Sequence, residues 1–319
     1  MNSHARVVST PLTIIAAFAA IYVIWGTTYL AIAISIRTLP PFVSGALRFL
    51  VAGGLMYAWI RAKTPKPFAG VNIGAAALCG VLLAGIGNGL VIWAQQGIPS
   101  GIAALIVTSM PVTVLVLDWA FFSKRAPTRQ GLVGTALALA GVATIVLHTH
   151  SVSGAARPMH LIAMIVAVLG WALGTLWQKR AATRDNVLSF TTLQVLFGGA
   201  FQLGLSVLDR EWGHFDVSAV SWSSWFALLY LIVFGSIIGL NCYLWLLTRV
   251  PAAKVTTYAL VNPVVALILG AIILHEEITA MTLMATLLVL LGVALVLFQD
   301  WNPAFLRGRR NLSPAERTS

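Results

Sequence analysis

From residue 12 onward the chain alternates between long apolar stretches and short polar breaks. About 20 apolar residues in a helix cross a hydrocarbon core of roughly 30 Å. Ten such stretches can be marked, at 12–36, 41–60, 70–94, 100–122, 130–148, 159–178, 187–208, 222–247, 253–274 and 281–299. The first could be taken for a secretory signal, because Arg6 precedes an apolar run containing small residues. That run is longer than the usual 7–15 residue signal core, so a retained helix is expected. No segment between the stretches is long enough to fold alone. The longest are 209–221 and the tail 300–319, and the tail is expected to be disordered.

The same pattern occurs twice. Pro99-Ser-Gly-Ile-Ala-Ala leads after about three helical turns to Met110-Pro111, and Val250-Pro-Ala-Ala-Lys leads in the same way to Asn262-Pro263. A shift of 152 positions superimposes the prolines and lays Phe121-Phe-Ser-Lys-Arg125 on Ile273-Leu-His-Glu-Glu277. Trp25-Gly-Thr-Thr-Tyr29 in the first span corresponds to Gly170-Trp-Ala-Leu-Gly-Thr175 in the sixth. Long internal repeats fix an architecture before any single motif does. The expected domains are a first five-helix repeat over 11–148 and a second over 159–299. Five spans is an odd number, so the second repeat enters the membrane inverted relative to the first.

Composition removes the soluble classes. Of the 319 residues, 59% are hydrophobic and 9% charged, against roughly 25% charged in a soluble domain. A net charge of +11 points to nucleic acid only if its location is ignored, since the bases lie in short loops; no nucleic-acid partner is expected. With both termini on one face, that face collects 16 Lys and Arg. The other holds Arg37, Arg157 and Arg210, and Arg48 lies within the second span. By the positive-inside bias both termini are cytoplasmic. Cys79 and Cys242 fall inside apolar runs and read as small core residues, with neither a disulfide framework nor a metal site expected.

The Trp25-Gly-Thr-Thr-Tyr29 start, Arg48-Phe49, the Pro-Ser-Gly-Ile-Ala-Ala run up to Pro111 and Asn262-Pro-Val-Val-Ala266 ahead of Glu276 together resemble the EamA-type drug/metabolite transporter superfamily. The resemblance covers about 11–299 and is nearest to bacterial inner-membrane exporters, amino-acid exporters among them. It implies an all-α integral membrane protein in which ten helices, as two inverted five-helix repeats, surround a central cavity lined mainly by spans 1, 3, 4, 6, 8 and 9. The chain departs from the family where an acidic residue often follows span 4, because Ser123-Lys124-Arg125 stands there. Any role of that acid would survive only in the second half, at Glu276.

A polar group on a membrane helix must find a partner or line a watery cavity. Trp25, Thr28 and Tyr29 fall at i, i+3 and i+4 and share a face of span 1. Trp171, Gly174, Thr175 and Gln178 do the same on span 6. Asn88 and Gln95 are seven apart on span 3 with Trp93 nearby, Asn241, Trp245 and Thr248 repeat the spacing on span 8, and Tyr258 and Asn262 do so on span 9. Pro263 removes an amide donor next to Asn262. The candidate substrate-binding set is therefore Trp25, Thr28, Tyr29, Asn88, Trp93, Trp171, Thr175, Asn241, Tyr258 and Asn262. Aromatic walls with a few hydrogen-bonding tips suit a small amphipathic solute. The competing readings are interfacial anchoring for Trp93, Trp245, Gln95 and Gln96 and plain helix–helix bonding for the Thr and Asn residues. Gly85, Gly87 and Gly89 read as packing surfaces, because no strand accompanies them to make a nucleotide fingerprint.

Arg48, Pro111, Asp118 and Pro263 are candidate gating or structural positions. Arg48 lies roughly 10 Å along span 2 at 1.5 Å per residue, and is expected to bond carbonyls, with a substrate carboxylate as the alternative. Asp118 is expected to pair with a nearby inner-loop base such as Lys124 or Arg125, with proton coupling as its alternative. Lys254 is expected to snorkel to the membrane surface, and Glu276 and Glu277 to be plain loop acids. His148 and His150 read as an exposed turn. No metalloprotease helix, nucleophile elbow or P-loop occurs, so neither an enzyme nor an ATP-driven pump is expected and no cofactor is called for. The sequence thus predicts a monomeric carrier embedded in the lipid bilayer and working on a small-molecule substrate, an amino acid or related metabolite. A quaternary-amine, drug or sugar-derivative exporter of the same fold is the alternative.

Overall fold

The computed structural model describes residues 11–124, 126–152, 158–182, 186–213, 215–247, 249–250, 255 and 257–298. Ten helices cross the molecule among them. They are α1 (Pro11–Ser35), α2 (Pro41–Lys63), α3 (Ile73–Ala94), α4 (Ser100–Ser123), α5 (Arg129–Val152), α6 (Pro158–Ala181), α7 (Val187–Leu208), α8 (222–247), α9 (Tyr258–Leu274) and α10 (Ala280–Leu297). Nine are long and apolar enough to cross a membrane, and α9, with its described start at Tyr258, is shorter. Side chains facing outward, such as Leu12, Ile15, Leu147, Leu208, Trp222 and Phe226, are large and apolar, as lipid requires. Lys254 and the tail 300–319 lie outside the described residues.

Below, the face on which α1 begins and α10 ends is called the terminal face, and the opposite one the far face. Helix starts follow ordinary capping chemistry. Asn72, Ser221 and Thr279 accept backbone amides at the starts of α3, α8 and α10, and prolines begin α1, α2 and α6, where a missing N–H costs nothing.

The packing of the helices is nearly unchanged when α1–α5 are exchanged for α6–α10. α1 packs on α9, and α6 on α4; α3 packs on α6, and α8 on α1; α3 packs on α7, and α8 on α2. The pairs α2–α7, α4–α9 and α5–α10 map onto themselves. Eight helices close a ring in the order α1, α9, α4, α6, α3, α7, α2, α8, while α5 and α10 pack together outside it against α4 and α9.

The repeat extends to irregularities that hydropathy could not reveal. α3 is π-helical over Val81–Asn88 and α8 over Leu231–Ile238, equivalent stretches, each with Gly at its fifth residue and followed by Gly. α4 and α9 both end on a left-handed residue, Lys124 and His275, each with φ 57°. The two proline helices differ, however. α4 breaks at Thr108–Ser109 before Pro111 and turns π-helical at Asp118–Ser123, whereas α9 runs straight through Pro263.

The ring is pinched at one end. On the far face α1 reaches across to the first half of α4, and α2 to the last turns of α3. The equivalent approaches on the terminal face, α6 to the start of α9 and α7 to the end of α8, have no comparable contact among the described residues. There a groove of about 280 Å³ lies between α2, α7 and α8, lined by Leu55, Met56, Trp59, Leu188, Ile237 and Asn241.

Candidate functional site

The polar and aromatic residues of the second repeat converge with α1. Trp25 places its ring 4.7 Å from that of Tyr258 and 5.3 Å from that of Tyr243, and the two tyrosine rings are 6.0 Å apart. Edge-on and tilted contacts of this kind are favourable for aromatic quadrupoles. The indole N–H of Trp25 donates to the Gly235 carbonyl at 3.2 Å, inside the π-helical part of α8. A Cβ on Gly239 would lie 2.6 Å from Trp25 Nε1, so the indole reaches α8 only because that side chain is absent. Tyr22 bonds Thr257 at 2.6 Å and Thr27 bonds Tyr230 at 2.5 Å, fixing α1 to its neighbours above and below. Asn262, one turn beyond Tyr258, is buried and its Oδ1 has no hydrogen-bond partner among the described residues.

Arg48 enters the same junction from α2. It is only 6% exposed, and its Nε donates to Ser236 Oγ at 2.9 Å. Nη1 is buried with no hydrogen-bond partner among the described residues, and Tyr29 lies within electrostatic range. A Cβ on Gly235 would stand 3.2 Å from Nη2 and from Thr28 Cγ2, so this glycine makes room for the guanidinium. The expectation that Arg48 bonds carbonyls is corrected. A serine hydroxyl holds it, because the π segment turns Ser236 toward α2. Insertion scales place an arginine at a helix centre at about 2.5–3.5 kcal/mol unfavourable, and here no carboxylate lies within ion-pair distance among the described residues.

Thr28 borders this junction beside Gly235, and most of the other predicted residues lie outside it. Thr28 and Thr175 spend their hydroxyls on carbonyls of their own helices, Trp25 and Trp171. Trp171 packs against Gly87 between α6 and α3, away from Trp25. Asn88 bonds the Leu83 carbonyl and Asn241 the Ile237 carbonyl, so both amides close the end of a π segment; Asn241 is exposed in the terminal-face groove. Trp93 lies 4.9 Å from His160, ring centre to ring centre and tilted by 37°, toward the far face. Gly85, Gly87 and Gly89 abut Phe201, Trp171 and Gln202, as packing surfaces do. Cys79 is buried and Cys242 half-buried, both free, and no metal-ligand cluster occurs among the described residues.

Two acids have roles that the sequence reading missed. Glu276 is no plain loop acid: it accepts the Ser100 and Gly101 amides at 2.7 and 3.1 Å, capping α4. Glu211, from the loop after α7, accepts the Phe42 and Val43 amides at 3.0 and 2.8 Å, capping α2. Both lie on the far face, where the N-terminal dipoles of α2 and α4 favour a carboxylate. The only signal was charge in an otherwise acid-poor chain, and the partners are far away in sequence. Beside Glu276, Gln95 and Ser100 line a second hollow of about 280 Å³. Asp118 pairs across helices. Its partner is Arg180 of α6 at 3.8 Å, while Lys124 bonds the Ala120 carbonyl and Arg125 lies outside the described residues. The left-handed turn at Lys124 points its side chain back along α4, leaving Asp118 to the neighbouring helix.

Two five-helix repeats exchanged by a two-fold packing pattern, with a polar junction inside the ring, define a multi-pass membrane transporter. The chain belongs to the EamA-like transporter family, whose profile matches residues 12–147 and 158–298. It is 33% identical over 288 residues to the uncharacterized inner membrane transporter YedA of Escherichia coli K12, covering 89% of this chain and 90% of that protein. It is 28% identical over 298 residues to protein PagO of Salmonella typhimurium, covering 93% and 96%. It is 28% identical over 288 residues to a probable amino-acid metabolite efflux pump of the same organism, covering 87% and 92%. A solved crystal structure with 18% identity superposes at a TM-score of 0.59 over 95% of this chain and 100% of that one, which speaks for the fold alone.

Proposed function

We propose that this transporter exports amino acids or closely related metabolites across the bacterial inner membrane by alternating access, as a monomer with both termini in the cytoplasm. The junction of α1, α2, α8 and α9 carries the reading. Trp25, Tyr243 and Tyr258 offer aromatic walls, while Asn262 Oδ1 and Arg48 Nη1 offer unused hydrogen-bonding capacity. That combination suits a small amphipathic solute with a charged end. The relative named as an amino-acid metabolite efflux pump supports the same substrate class. Orientation follows the 16 bases on the terminal face against three on the other. In that orientation the groove between α7 and α8 opens to the cytoplasm, from which an exporter loads. Inverted repeats favour such a cycle because the two halves can exchange conformations.

A quaternary-amine exporter would need a carboxylate within the membrane. Asp118, near the terminal end of α4 and paired with Arg180, supplies a weak case for one.

The test is efflux from proteoliposomes preloaded with labelled threonine, methionine, phenylalanine or lysine, with and without a pH gradient, beside Trp25→Ala. Saturable efflux that falls at least about tenfold in the variant, a barrier change of about 1.4 kcal/mol, is the expected result. Folded protein that moves none of the four above empty liposomes would sink the amino-acid reading.

A further inference from the structure

We infer that Arg48 is the carboxylate-binding group of the transport path, reached from the groove on the terminal face. This rests on the carrier reading of the same junction and specifies which end of the substrate is held there.

Three observations converge. The guanidinium is more than nine-tenths buried, is oriented by Ser236 through Nε, and leaves Nη1 unused. Besides Ser236 the guanidinium has the Phe49 ring, 4.9 Å away, but no carboxylate among the described residues. A buried charge without a counter-ion is costly, and in a membrane helix it marks a ligand path or a relay. Arg48 also has no counterpart in the repeat. α7, the helix equivalent to α2, contains no charged residue, so the two-fold packing does not require a cation here. Finally, Leu55 and Trp59 follow Arg48 at i+7 and i+11, on the same face of α2, and both line the terminal-face groove. The groove wall therefore leads along one helix face to the guanidinium, over about 10 Å at 1.5 Å per residue.

A planar guanidinium held by one nitrogen presents its remaining N–H groups as a fork, the geometry that matches a carboxylate. Ser236 sets the plane of that fork. Tyr29 gives the site a second polar neighbour, and Gly235 keeps the approach free of a side chain.

The test measures equilibrium binding to the purified full-length protein by calorimetry. The probes are phenylalanine, threonine and lysine, their carboxamides, and 3-phenylpropionate, which has a carboxylate but no ammonium. The wild type is expected to prefer each acid over its amide by at least about tenfold. Arg48→Gln is expected to reduce that preference to within about twofold by weakening acid binding far more than amide binding, a pattern that loss of folding cannot produce. If Arg48→Gln does not yield a monodisperse protein, Ser236→Ala is the second variant. It frees the guanidinium from its guide and is expected to lower the acid preference about threefold to tenfold. An acid preference kept in a folded Arg48→Gln protein, or in Ser236→Ala where that variant stands in, overturns the proposal. So does a wild type that binds acid and amide alike, although the amino-acid reading survives that result. Binding of 3-phenylpropionate without binding of any amino acid would support Arg48 and sink the amino-acid reading. Binding of no probe overturns both.

Discussion

Trp25 reaches the Gly235 carbonyl through a space that exists because residue 239 is glycine. Gly239→Ala would put a methyl group 2.6 Å from the indole nitrogen and 3.1 Å from the Phe234 carbonyl oxygen, so the indole must swing off Tyr258 or α8 must move. Overpacking of this kind costs about 1–3 kcal/mol, and the expected outcome is a lower melting temperature with Trp fluorescence shifted by the changed ring environment. Trp25→Phe keeps an aromatic ring but loses the N–H and the fused second ring. It is expected to cost more than the net worth of one hydrogen bond, about 0.5–1.5 kcal/mol, because the space left against Tyr243 and Tyr258 adds a cavity term. A Gly239→Ala protein as stable as the wild type would show that the junction tolerates the ring elsewhere. At this scale the sequence was partly legible. Trp25, Tyr29 and Tyr258 follow helical spacing and do come together. Tyr243 and Ser236 were missed, because a π turn holds an extra residue and rotates everything beyond it. Spacing read at 3.6 residues per turn assigns the wrong face from that point on.

Two helices of the first repeat, α2 and α4, are capped on the far face by carboxylates from the second, Glu211 and Glu276. Each is a tie between repeats in addition to being a cap. Glu276→Ala is expected to cost about 0.5–2 kcal/mol, as loss of an N-terminal cap does, and to loosen the contact of the α9–α10 loop with α4. Protease accessibility of that loop, rather than only the melting point, is the measurement that reads it. Glu211 carries a pH dependence. Burial raises its carboxyl above the ordinary 4.5, outweighing the amides of Phe42 and Val43, and Asp209 adds to the rise. The folded carboxyl thus keeps its proton to higher pH than the unfolded chain does. A stability penalty builds as pH rises from 4.5 through the raised value and is complete above it. The melting-temperature advantage of Glu211→Gln over the wild type is therefore expected to grow between pH 4.5 and neutrality. An advantage that stays constant across that range would count against a buried, docked carboxyl. Neither tie could be read from the sequence, since capping partners more than 160 residues apart leave no local pattern. The helices themselves were legible because bilayer thickness dictates their length and apolarity.

Across the whole molecule, one packing scheme serves both halves, yet the two faces differ. The far face is drawn together and the terminal face is open between α7 and α8. The two-fold pattern means that the opposite arrangement uses the same kinds of contact, so the choice between them reflects a small free-energy difference. This is why hydropathy and the paired prolines disclosed the repeat but not the face that stands open. Leu188 and Asn241 line opposite sides of the opening. Joining cysteines at these two positions with a bis-maleimide that spans the groove is expected to hold it open. Transport should fall at least about tenfold, equivalent to about 1.4 kcal/mol, while each single variant stays active. Undiminished transport in the crosslinked protein would mean that this groove does not close during the cycle.

The π-helical stretches at Val81–Asn88 and Leu231–Ile238 also bear on how such a chain came to exist. A π turn is rare and must be accommodated by the helices around it, so two independent origins at matching positions are less economical than one. The irregularity would then be older than the joining of the halves. On that account its first bearer would have been a five-helix protein whose copies paired in opposite orientations. On that history Arg48 and the unequal count of bases would be later additions, laid on after fusion had given each half a fixed side of the membrane. Restoring symmetry at those positions should leave the fold intact and make its insertion ambiguous, which glycosylation or cysteine-labelling tags placed on the two faces would report.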